Sequence, residues 1–461
     1  MKNSIHQQKQ EIDMLNGSLG DKIIFFALPI AATGILEQLF NAADTAVIGQ
    51  FVGKNAMAAV GSNSSIIALL VGVFTGIALG TNVVIANFIG GGHSKQIGMA
   101  VDTSVVMALI CGFGMTVLGE LAAAPFLELM SLPAEVYGMA VLYLRIYLLG
   151  MPVIFLYNFE SAIFRASGDS KTPLICLVIS GLINVGLNLF FVLVVKMTVD
   201  GVALATVISN LISSVLLFIL LLHKHDSPVK MSLHKPDFSS VILKRILQIG
   251  LPAGLQNMIF SISNICVQSA INSLGADIMA ASSAAFNIEV TAYYLVNGFG
   301  QACTTFTSQN YGAGQLSRCR RVLKLSLIQD CLFTLAFSSL ILIFGTPLLR
   351  LFNNDPTVLE YGKIRLLFIL VPELINVLIE IFSGAMRGYG NSLAPALIAL
   401  LGVCGVRIIW VYAVFPHYKS FATLLFCYPL SWVVTAVGVI VAYGVMIKGI
   451  DKEKKSSRKV L

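Results

Sequence analysis

The chain has 461 residues, of which 57% are hydrophobic and only 11% are charged. Soluble globular proteins carry about 25% charged residues, so this composition excludes an ordinary soluble enzyme or binding domain and indicates a membrane protein. The net charge of +7 would suit a nucleic acid, but lysine and arginine fall in short connections between apolar runs, so we expect no nucleic-acid partner.

Long apolar segments recur about twelve times along the chain, and each approaches the ~20 residues that a helix needs to cross a bilayer. Predicted spans lie near residues 22–48, 56–86, 96–124, 136–158, 172–195, 201–222, 243–273, 278–306, 320–345, 358–383, 393–415 and 421–447. We therefore expect an all-α polytopic membrane protein in a lipid bilayer. Its predicted parts are a polar tail (1–20), a six-helix lobe (21–222), a linker (223–240), a second six-helix lobe (241–447) and a basic tail (448–461).

The distribution of basic residues predicts the orientation of these helices. Alternate connections and the C-terminal tail are rich in lysine and arginine, whereas the other connections hold little beyond Lys54, Lys196, Arg350 and Lys419. Because cytoplasmic loops carry the excess of basic residues, both termini are predicted to be cytoplasmic. Residues 1–20 lack the apolar core and cleavage site of a secretory signal, so they are expected to remain as a tail.

The two halves of the sequence repeat at an offset of about 222 residues. Pro29 and Pro252 each lead a long apolar run, and R-A-S-G-D-S-K-T-P (165–173) matches R-G-Y-G-N-S-L-A-P (387–395). Each half holds an even number of spans, so the two six-helix repeats run parallel, and a substrate path usually lies between such repeats. The halves differ chemically, because fifteen residues after each proline stand Asp44 in the first half and Val267 in the second.

Polar residues in the N-terminal half predict a coupling site. Glu37, Asn41 and Asp44 follow the spacing i, i+4, i+7 and share one helix face. A carboxylate at bilayer depth costs about 3 kcal/mol, so it usually faces a cavity or a partner. The candidates for cation or proton coupling are Asp44, Asn184, Asn188 and Thr206. Their oxygens would suit Na⁺ or a hydrogen-bonded network that changes on protonation, and a structural interhelical cluster is the alternative.

The C-terminal half carries a second set of buried charges. We expect one acid, Glu289 or Glu380, to pair with Arg407, because an unpaired buried arginine is costly. Which of the two pairs stays open at this point. The residues expected to line a substrate cavity are Glu37, Asn41, Glu289, Glu373, Glu380 and Tyr293.

Nothing in the sequence indicates nucleotide chemistry or catalysis. The glycine runs 90–92 and 312–314 neither follow a strand nor carry the Lys-Ser/Thr of a P-loop, so we expect no nucleotide partner and no cofactor. Any transport would then depend on an ion gradient. A membrane-embedded enzyme would need a nucleophile–base pair or a histidine-rich metal set within the spans, and the six histidines lie in the tail, the loops and the linker. We therefore expect that the protein is not an enzyme.

Several of these residues together resemble the multidrug and toxic compound extrusion (MATE) family. The resemblance rests on Pro29 followed by Asp44-Thr45, the N-I-E run at 287–289, the T-F-T-S-Q-N-Y-G-A-G run at 305–314 and the run at 165–173, and it covers about residues 20–447. It implies a V-shaped pair of six-helix lobes in the inner membrane that exchanges H⁺ or Na⁺ for cytoplasmic drugs or metabolites. It also implies a cation or proton site at Asp44 with neighbours at Asn184 and Thr206.

Two departures from the family pattern leave the coupling ion open. Asn188 stands where the family often has an aspartate, and the seventh span has Phe260, Ser261 and Ser263 where several members carry a glutamate. H⁺ and Na⁺ therefore both remain candidates.

These observations predict a cation-coupled antiporter that exports organic, cationic drugs or metabolites across the cytoplasmic membrane. Protonation of Asp44 would change its bonds to Asn184 and Asn188 and let the first helix bend at Pro29, the predicted hinge. The alternative is a lipid-linked precursor flippase of the same superfamily. That function would need a basic cavity for the substrate's phosphates, whereas the buried charges here lean acidic.

Overall fold

A computed structural model describes residues 11–129, 132–223, 229 and 237–460 of the chain. Within these residues the secondary structure is helical and contains no β-strand. Residues 1–10 of the predicted N-terminal tail and most of the predicted linker at 223–240 lie outside the described residues.

The first half of the chain forms seven helices within the described residues. They are α1 (Gly20–Phe51), α2 (Lys54–Gly90), α3 (Ser94–Leu129), α4 (Ala134–Leu149), α5 (Met151–Ala166), α6 (Lys171–Leu189) and α7 (Val199–His223). The predicted fourth span, 136–158, is the bent pair α4–α5, whose axes meet at 50° around Gly150. Pro152 at the start of α5 has no amide hydrogen to continue the ladder, which explains the break. A π-helical segment, Phe190–Val194, extends α6.

The second half forms ten further α-helical segments. They are α8 (Ser240–Asn272), α9 (Ala276–Gly312), α10 (Leu316–Ile343), α11 (Gly345–Arg350), α12 (Pro356–Leu370), α13 (Glu373–Gly388), α14 (Leu393–Ala399), α15 (Val406–Ile409), α16 (Phe421–Leu425) and α17 (Cys427–Val460). Two π-helical segments, Leu400–Gly405 and Trp410–Val414, flank α15, and a 3₁₀ turn follows at Phe415–His417. Pro372 separates α12 from α13.

Every predicted span corresponds to a helix or a helix pair. Among the described residues, nine helical stretches are long and apolar enough to cross a membrane, and the bent pair α4–α5 makes ten. These findings confirm the all-α polytopic membrane fold. The other two predicted spans are α8 and α9, whose 33 and 37 residues would reach about 50 Å but include many polar side chains.

Helix α8 has a polar stripe on one face. Its members recur every three or four residues and are Asn257, Ser261, Asn264, Gln268 and Asn272. Residues at this spacing share a helix face. The last three of them are exposed. Because polar groups are costly in hydrocarbon, this stripe is expected to face water or polar protein groups rather than lipid tails.

The described chain divides into two compact units. The first holds the described part of Met1–Gly17 with Ala32–Gly254 and Gly312–Gly314, and the second holds Ser18–Ala31, Leu255–Tyr311 and the described part of Gln315–Leu461. The chain passes from one unit to the other two residues after Pro29 in α1 and two residues after Pro252 in α8. A proline inside a helix removes a backbone hydrogen bond, so both crossings fall at a weak point of the helix. The units therefore divide the chain differently from lobes bounded at 21–222 and 241–447.

Four glycines hold the N-terminal part of α8 in the first unit. Gly76 and Gly80 on α2 face Gly250 and Gly254 on α8, four residues apart on each helix. A Cβ atom at Gly76 would lie 2.1 Å from the Gly254 nitrogen, and one at Gly80 would lie 2.4 Å from the Ile246 oxygen. Pairs of small residues at this spacing let membrane helices approach closely.

Candidate functional site

Asp44 on α1 is a buried acid of the first unit, with 6% of its surface exposed. Its Oδ1 accepts a hydrogen bond from Asn188 Nδ2 at 2.5 Å, and its Oδ2 accepts one from Thr206 Oγ1 at 3.2 Å. Asn188 Nδ2 also donates to Asn184 Oδ1 at 3.2 Å. The structure thus brings together the four predicted coupling residues from α1, α6 and α7. No basic side chain of the described residues forms an ion pair with Asp44.

The cluster around Asp44 presents oxygen atoms that are available to a cation. Asn188 Oδ1 is buried and has no hydrogen-bond partner within the described residues. The hydroxyl of Thr206 has a single hydrogen, so it can donate either to Asp44 Oδ2 or to Val202 O, which lies 3.0 Å away. If the hydroxyl donates to Val202, a lone pair of Thr206 is left for a cation. Two oxygens from Asp44 and one each from Asn184, Asn188 and Thr206 make five, and hard cations prefer oxygen ligands.

Two tyrosines of α4 that are not among the predicted site residues lie beside this cluster. Tyr143 and Tyr147 both interact electrostatically with Asp44, and Tyr147 interacts with Glu37 as well. Their rings stack with centroids 6.3 Å apart. An aromatic residue in an apolar span usually only packs, so the sequence carries no signal that would assign these two to the site.

The other predicted residues of α1 lie outside the hydrogen-bonded cluster. Glu37 and Asn41 are both exposed. Glu37 interacts electrostatically with Arg165 at the end of α5. Pro29 lies inside α1, fifteen residues before Asp44, which corresponds to about 22 Å along a helix. Pro29 therefore cannot act on Asp44 by contact, and any hinge would act through the helix itself.

Glu289 and Glu380 of the second unit are paired with arginines other than Arg407. Arg365 on α12 donates from Nη2 to Glu289 Oε1 at 2.6 Å and from Nε to both carboxylate oxygens at 3.1 and 3.2 Å. Glu380 Oε2 on α13 lies 3.7 Å from Arg387 Nη1. The prediction that Glu289 or Glu380 pairs with Arg407 is wrong, because each acid meets a nearer guanidinium.

Tyr293, Glu373 and Glu380 come together in the second unit. Tyr293 interacts electrostatically with Glu380, Arg387 and Glu373. Glu373 begins α13 and accepts a hydrogen bond from Asn376 Nδ2 at 3.0 Å, one turn further along the same helix. The predicted cavity residues of this unit are thus neighbours, although Glu373 and Glu380 are both buried.

Four further acids, Asp102, Glu160, Asp169 and Asp330, are buried, and two of them lie inside helices and accept a hydrogen bond from a hydroxyl group. Glu160 on α5 is fully buried, and its Oε2 accepts a hydrogen bond from Ser214 Oγ at 3.0 Å. Asp330 on α10 is also fully buried and accepts one from Thr334 Oγ1 at 3.0 Å. Glu160 stands two residues beyond the predicted span 136–158, and its burial follows from the continuation of α5 to Ala166.

Comparison with known proteins gives consistent matches over most of the chain. The family described as MatE matches residues 29–190 and again residues 252–413, once in each half. "Probable multidrug resistance protein NorM" of Thermotoga maritima is 27% identical over 391 residues, which cover 84% of both chains. "FAD transporter" of Shewanella oneidensis is 24% identical over 401 residues, 85% of this chain and 87% of that protein.

A solved structure shows the same fold. "Crystal structure of MATE in complex with MaL6" superposes with a TM-score of 0.87 at 22% identity, covering 95% of this chain and 98% of the other. The matches to both halves agree with the internal repeat, since each half of the chain fits the same family pattern.

Proposed function

The chain belongs to the MatE family of membrane transporters, and on that premise we propose that it is an antiporter exchanging H⁺ or Na⁺ for organic cations across the cytoplasmic membrane. Its relatives are drug and small-molecule transporters rather than enzymes. The observation that carries the proposal is the environment of Asp44. Its hydrogen-bond partners in the described structure are neutral, Asn188 and Thr206. Oxygens from α1, α6 and α7 converge at Asp44, and one of them, Asn188 Oδ1, has no hydrogen-bond partner within the described residues. Glu160, a buried acid whose neutral donor is Ser214, has no such set of hydrogen-bonded oxygens around it in the described part of the chain.

The hydrogen bonds around Asp44 can exist in two arrangements. In the first arrangement the carboxylate accepts from Asn188 Nδ2 and Thr206 Oγ1. A proton on Asp44 turns one of its oxygens into a donor, and rotation of the Asn188 amide would then offer the unpaired Oδ1 as acceptor. That rotation removes the donor from Asn184 Oδ1. Loading of a proton would therefore move the contact between α1 and α6, and a bound Na⁺ would recruit the same oxygens.

An organic cation would be attracted to the same helix face. Glu37 is exposed and stands seven residues before Asp44, about 10 Å along α1, with exposed Asn41 between them. A cationic substrate near Glu37 and a coupling cation at Asp44 would repel each other at this range in a low-dielectric surrounding. Binding of one would weaken binding of the other, which is the energetic requirement for antiport.

The remaining predicted residues have subordinate parts in this proposal. Pro29 would be the hinge of α1, since the described chain changes unit two residues after it. Glu373, Glu380 and Tyr293 would line the part of the substrate path in the second unit. Glu289 would contribute less charge, because Arg365 neutralises it. The distribution of basic residues supports cytoplasmic termini.

Dye efflux from membrane vesicles tests the proposal. Inside-out vesicles containing the parent, Asp44→Asn or Glu160→Gln are loaded with ethidium under an imposed pH gradient or an imposed Na⁺ gradient. Glu160→Gln is the matched control, because it neutralises another buried acid of the same unit that is bonded to a neutral donor. We expect one gradient to drive transport in the parent, at least a tenfold loss in Asp44→Asn, and most of the activity in Glu160→Gln.

Two results would contradict the proposal. Equal transport by Asp44→Asn and the parent would remove the coupling role of Asp44. If neither gradient moves ethidium in the parent, cation antiport is wrong, and a fluorescent phospholipid analogue in the same vesicles would test the flippase alternative. Thermal unfolding of the purified variants shows whether lost transport reflects lost folding.

A further inference from the structure

Arg407 in the second unit is a buried base, and no acidic side chain of the described residues forms an ion pair with it. Its side chain is 3% exposed. Nε donates to Ser431 Oγ at 3.1 Å, Nη1 donates to Asn264 Oδ1 at 2.9 Å, and the guanidinium carbon lies 4.4 Å from the centre of the Tyr428 ring. Nη2 has no hydrogen-bond partner within the described residues.

Two buried acids of the second unit that could have compensated this charge are bound to other arginines. Glu289 is bound to Arg365 and Glu380 to Arg387. Arg365 itself lies close enough to Arg407 to repel it electrostatically. Burying an ion without a counterion costs much free energy. An apolar side chain at position 407 would therefore pack the second unit at a lower cost, so packing alone does not explain this arginine.

The backbone that carries Arg407 is unusual. The four residues of α15 stand between the π-helical segments Leu400–Gly405 and Trp410–Val414. Short π-helical segments occur frequently at functional sites, where they change the direction of side chains. This is a second reason, independent of charge, to assign a function to this part of the second unit.

The internal repeat relates this place to the coupling site of the first unit. The partners of Arg407, Asn264 and Ser431, lie on the seventh and twelfth spans, and Arg407 lies on the eleventh. In the repeat these spans are equivalent to the first, sixth and fifth, which carry Asp44, Thr206 and Asn188. The offset is 223 residues between Pro29 and Pro252, and at that offset Asn264 corresponds to Asn41. With a repeat offset of 222 or 223 residues, Arg407 corresponds to position 185 or to Asn184 itself. The duplicated framework thus presents an acid in the first unit and a base in the second.

A polar route leads to the guanidinium. Asn264, the acceptor of Nη1, is exposed and belongs to the polar stripe of α8. A ligand that reaches Asn264 is therefore one side chain away from Arg407. With Nη2 unpaired, displacing the Asn264 oxygen would leave both terminal nitrogens for a bidentate contact, which carboxylates and phosphates match in shape.

We propose that Arg407 and Asn264 form a binding subsite for the carboxylate or phosphate group of an organic compound. Two parallel hydrogen bonds run from Nη1 and Nη2 to the oxyanion, and the Asn264 amide turns its Nδ2 towards it. The Tyr428 ring and Ser431 hold the guanidinium plane. That the bound compound is an exported solute rests on the proposed function, whereas the binding itself does not.

The two tryptophans of the chain make this subsite directly measurable. Trp410 follows Arg407 by three residues, and Trp432 is next to Ser431. The full-length protein in phosphatidylcholine nanodiscs is titrated with 4-nitrobenzoate, 4-nitrophenyl phosphate or 4-nitrobenzylamine, and quenching of tryptophan fluorescence reports binding. We expect the two anions to bind at least tenfold more tightly than the amine.

Two variants with a matched control test the residues. Arg407→Gln removes the positive charge. Asn264→Asp keeps Arg407 but places a carboxylate next to it, and the two side chains would form an ion pair. This variant is therefore expected to fold at least as well as the parent. Asn272→Asp adds the same charge on the same stripe, eight residues or about 12 Å further along α8. Both test variants should lose at least tenfold in affinity for the anions, and the control less than threefold.

Several outcomes would overturn the assignment. Unchanged anion affinity in Arg407→Gln and Asn264→Asp does so, and so does an equal loss for the anions and the amine. Nanodiscs containing phosphatidylglycerol identify the natural source of the anion. Competition by this lipid indicates a lipid headgroup, its absence indicates a soluble compound, and either result supports the subsite. Anion binding that persists when ethidium efflux fails in the parent would refute cation antiport while leaving the subsite intact.

Discussion

The ion pair between Glu289 and Arg365 gives the sharpest test of how buried charges in this protein should be interpreted. Three hydrogen bonds of 2.6 to 3.2 Å join the two side chains, which are only 7% and 3% exposed. Removing one partner of a buried pair leaves an uncompensated charge and costs about 3–5 kcal/mol. Two charges about 4 Å apart at an effective dielectric constant of about 20 interact by about 4 kcal/mol, which agrees with that range.

The expected effect on thermal stability follows from the chain length. At about 2.1 cal/mol/K per residue, 461 residues give an unfolding entropy of about 1 kcal/mol/K. Arg365→Met should therefore lower Tm by about 3–5 °C, and adding Glu289→Gln should recover most of that loss, because a neutral pair leaves no stranded charge. Thermal unfolding of the purified variants in one detergent measures this double-mutant cycle.

A control and a contrary result complete the test. Glu373→Gln changes an acid that is bonded to the neutral Asn376, so it should cost less than about 1 kcal/mol. If Arg365→Met costs as little, the ion pair does not stabilise the second unit. If Glu289→Gln leaves Tm unchanged and abolishes ethidium efflux, Glu289 serves the substrate path directly, as its position in the eighth span suggests.

Two further predictions concern the helices. Gly76→Ala should destabilise the protein by about 1–3 kcal/mol, because the added Cβ would lie 2.1 Å from the Gly254 nitrogen, whereas Gly61→Ala meets nothing within 4 Å and should leave Tm unchanged or higher. Equal Tm values for the two variants would show that α2 and α8 can separate freely. Pro29→Ala restores a donor to the Phe25 carbonyl and stiffens α1, so ethidium efflux should slow severalfold while ethidium binding persists. An unchanged efflux rate would exclude a hinge at Pro29.

The fold could be predicted to the extent that it depends on local properties of the sequence. Each of the twelve predicted spans is helical, and ten of them within the described residues are also apolar enough to cover the hydrocarbon, whereas α8 and α9 carry many polar side chains. Length and apolarity did not reveal the bend at Gly150, since hydropathy stays high across it. Nor could they show that α1 and α8 change unit after Pro29 and Pro252, because this division depends on packing between distant segments.

The candidate site was predictable where the residues within one span form a recognisable pattern. Asn184 and Asn188 stand four residues apart, so their shared face could be read from the sequence, and Asp44 was conspicuous as an acid in an apolar run. The partner of Glu289 was not predictable. Arg365 lies 76 residues away, near the start of the tenth predicted span, where a long basic side chain usually reaches the membrane surface. Only the packing of α9 against α12 places it in the interior.

Some buried charges of the two units are compensated by an opposite charge, and others are bonded only to neutral groups in the described structure. Glu289 with Arg365 and Glu380 with Arg387 neutralise each other, so they need no ligand to be stable. Asp44 and Arg407 are both nearly inaccessible and lack an opposite charge in the described structure. A lone buried ion is tolerated when a ligand compensates it for part of the working cycle. Neutralising Asp44 or Arg407 should therefore impair binding or transport without loss of stability, whereas breaking the pair between Glu289 and Arg365 should do the reverse. This contrast would allow one duplicated framework to hold the proposed cation site in one unit and the proposed anion subsite in the other.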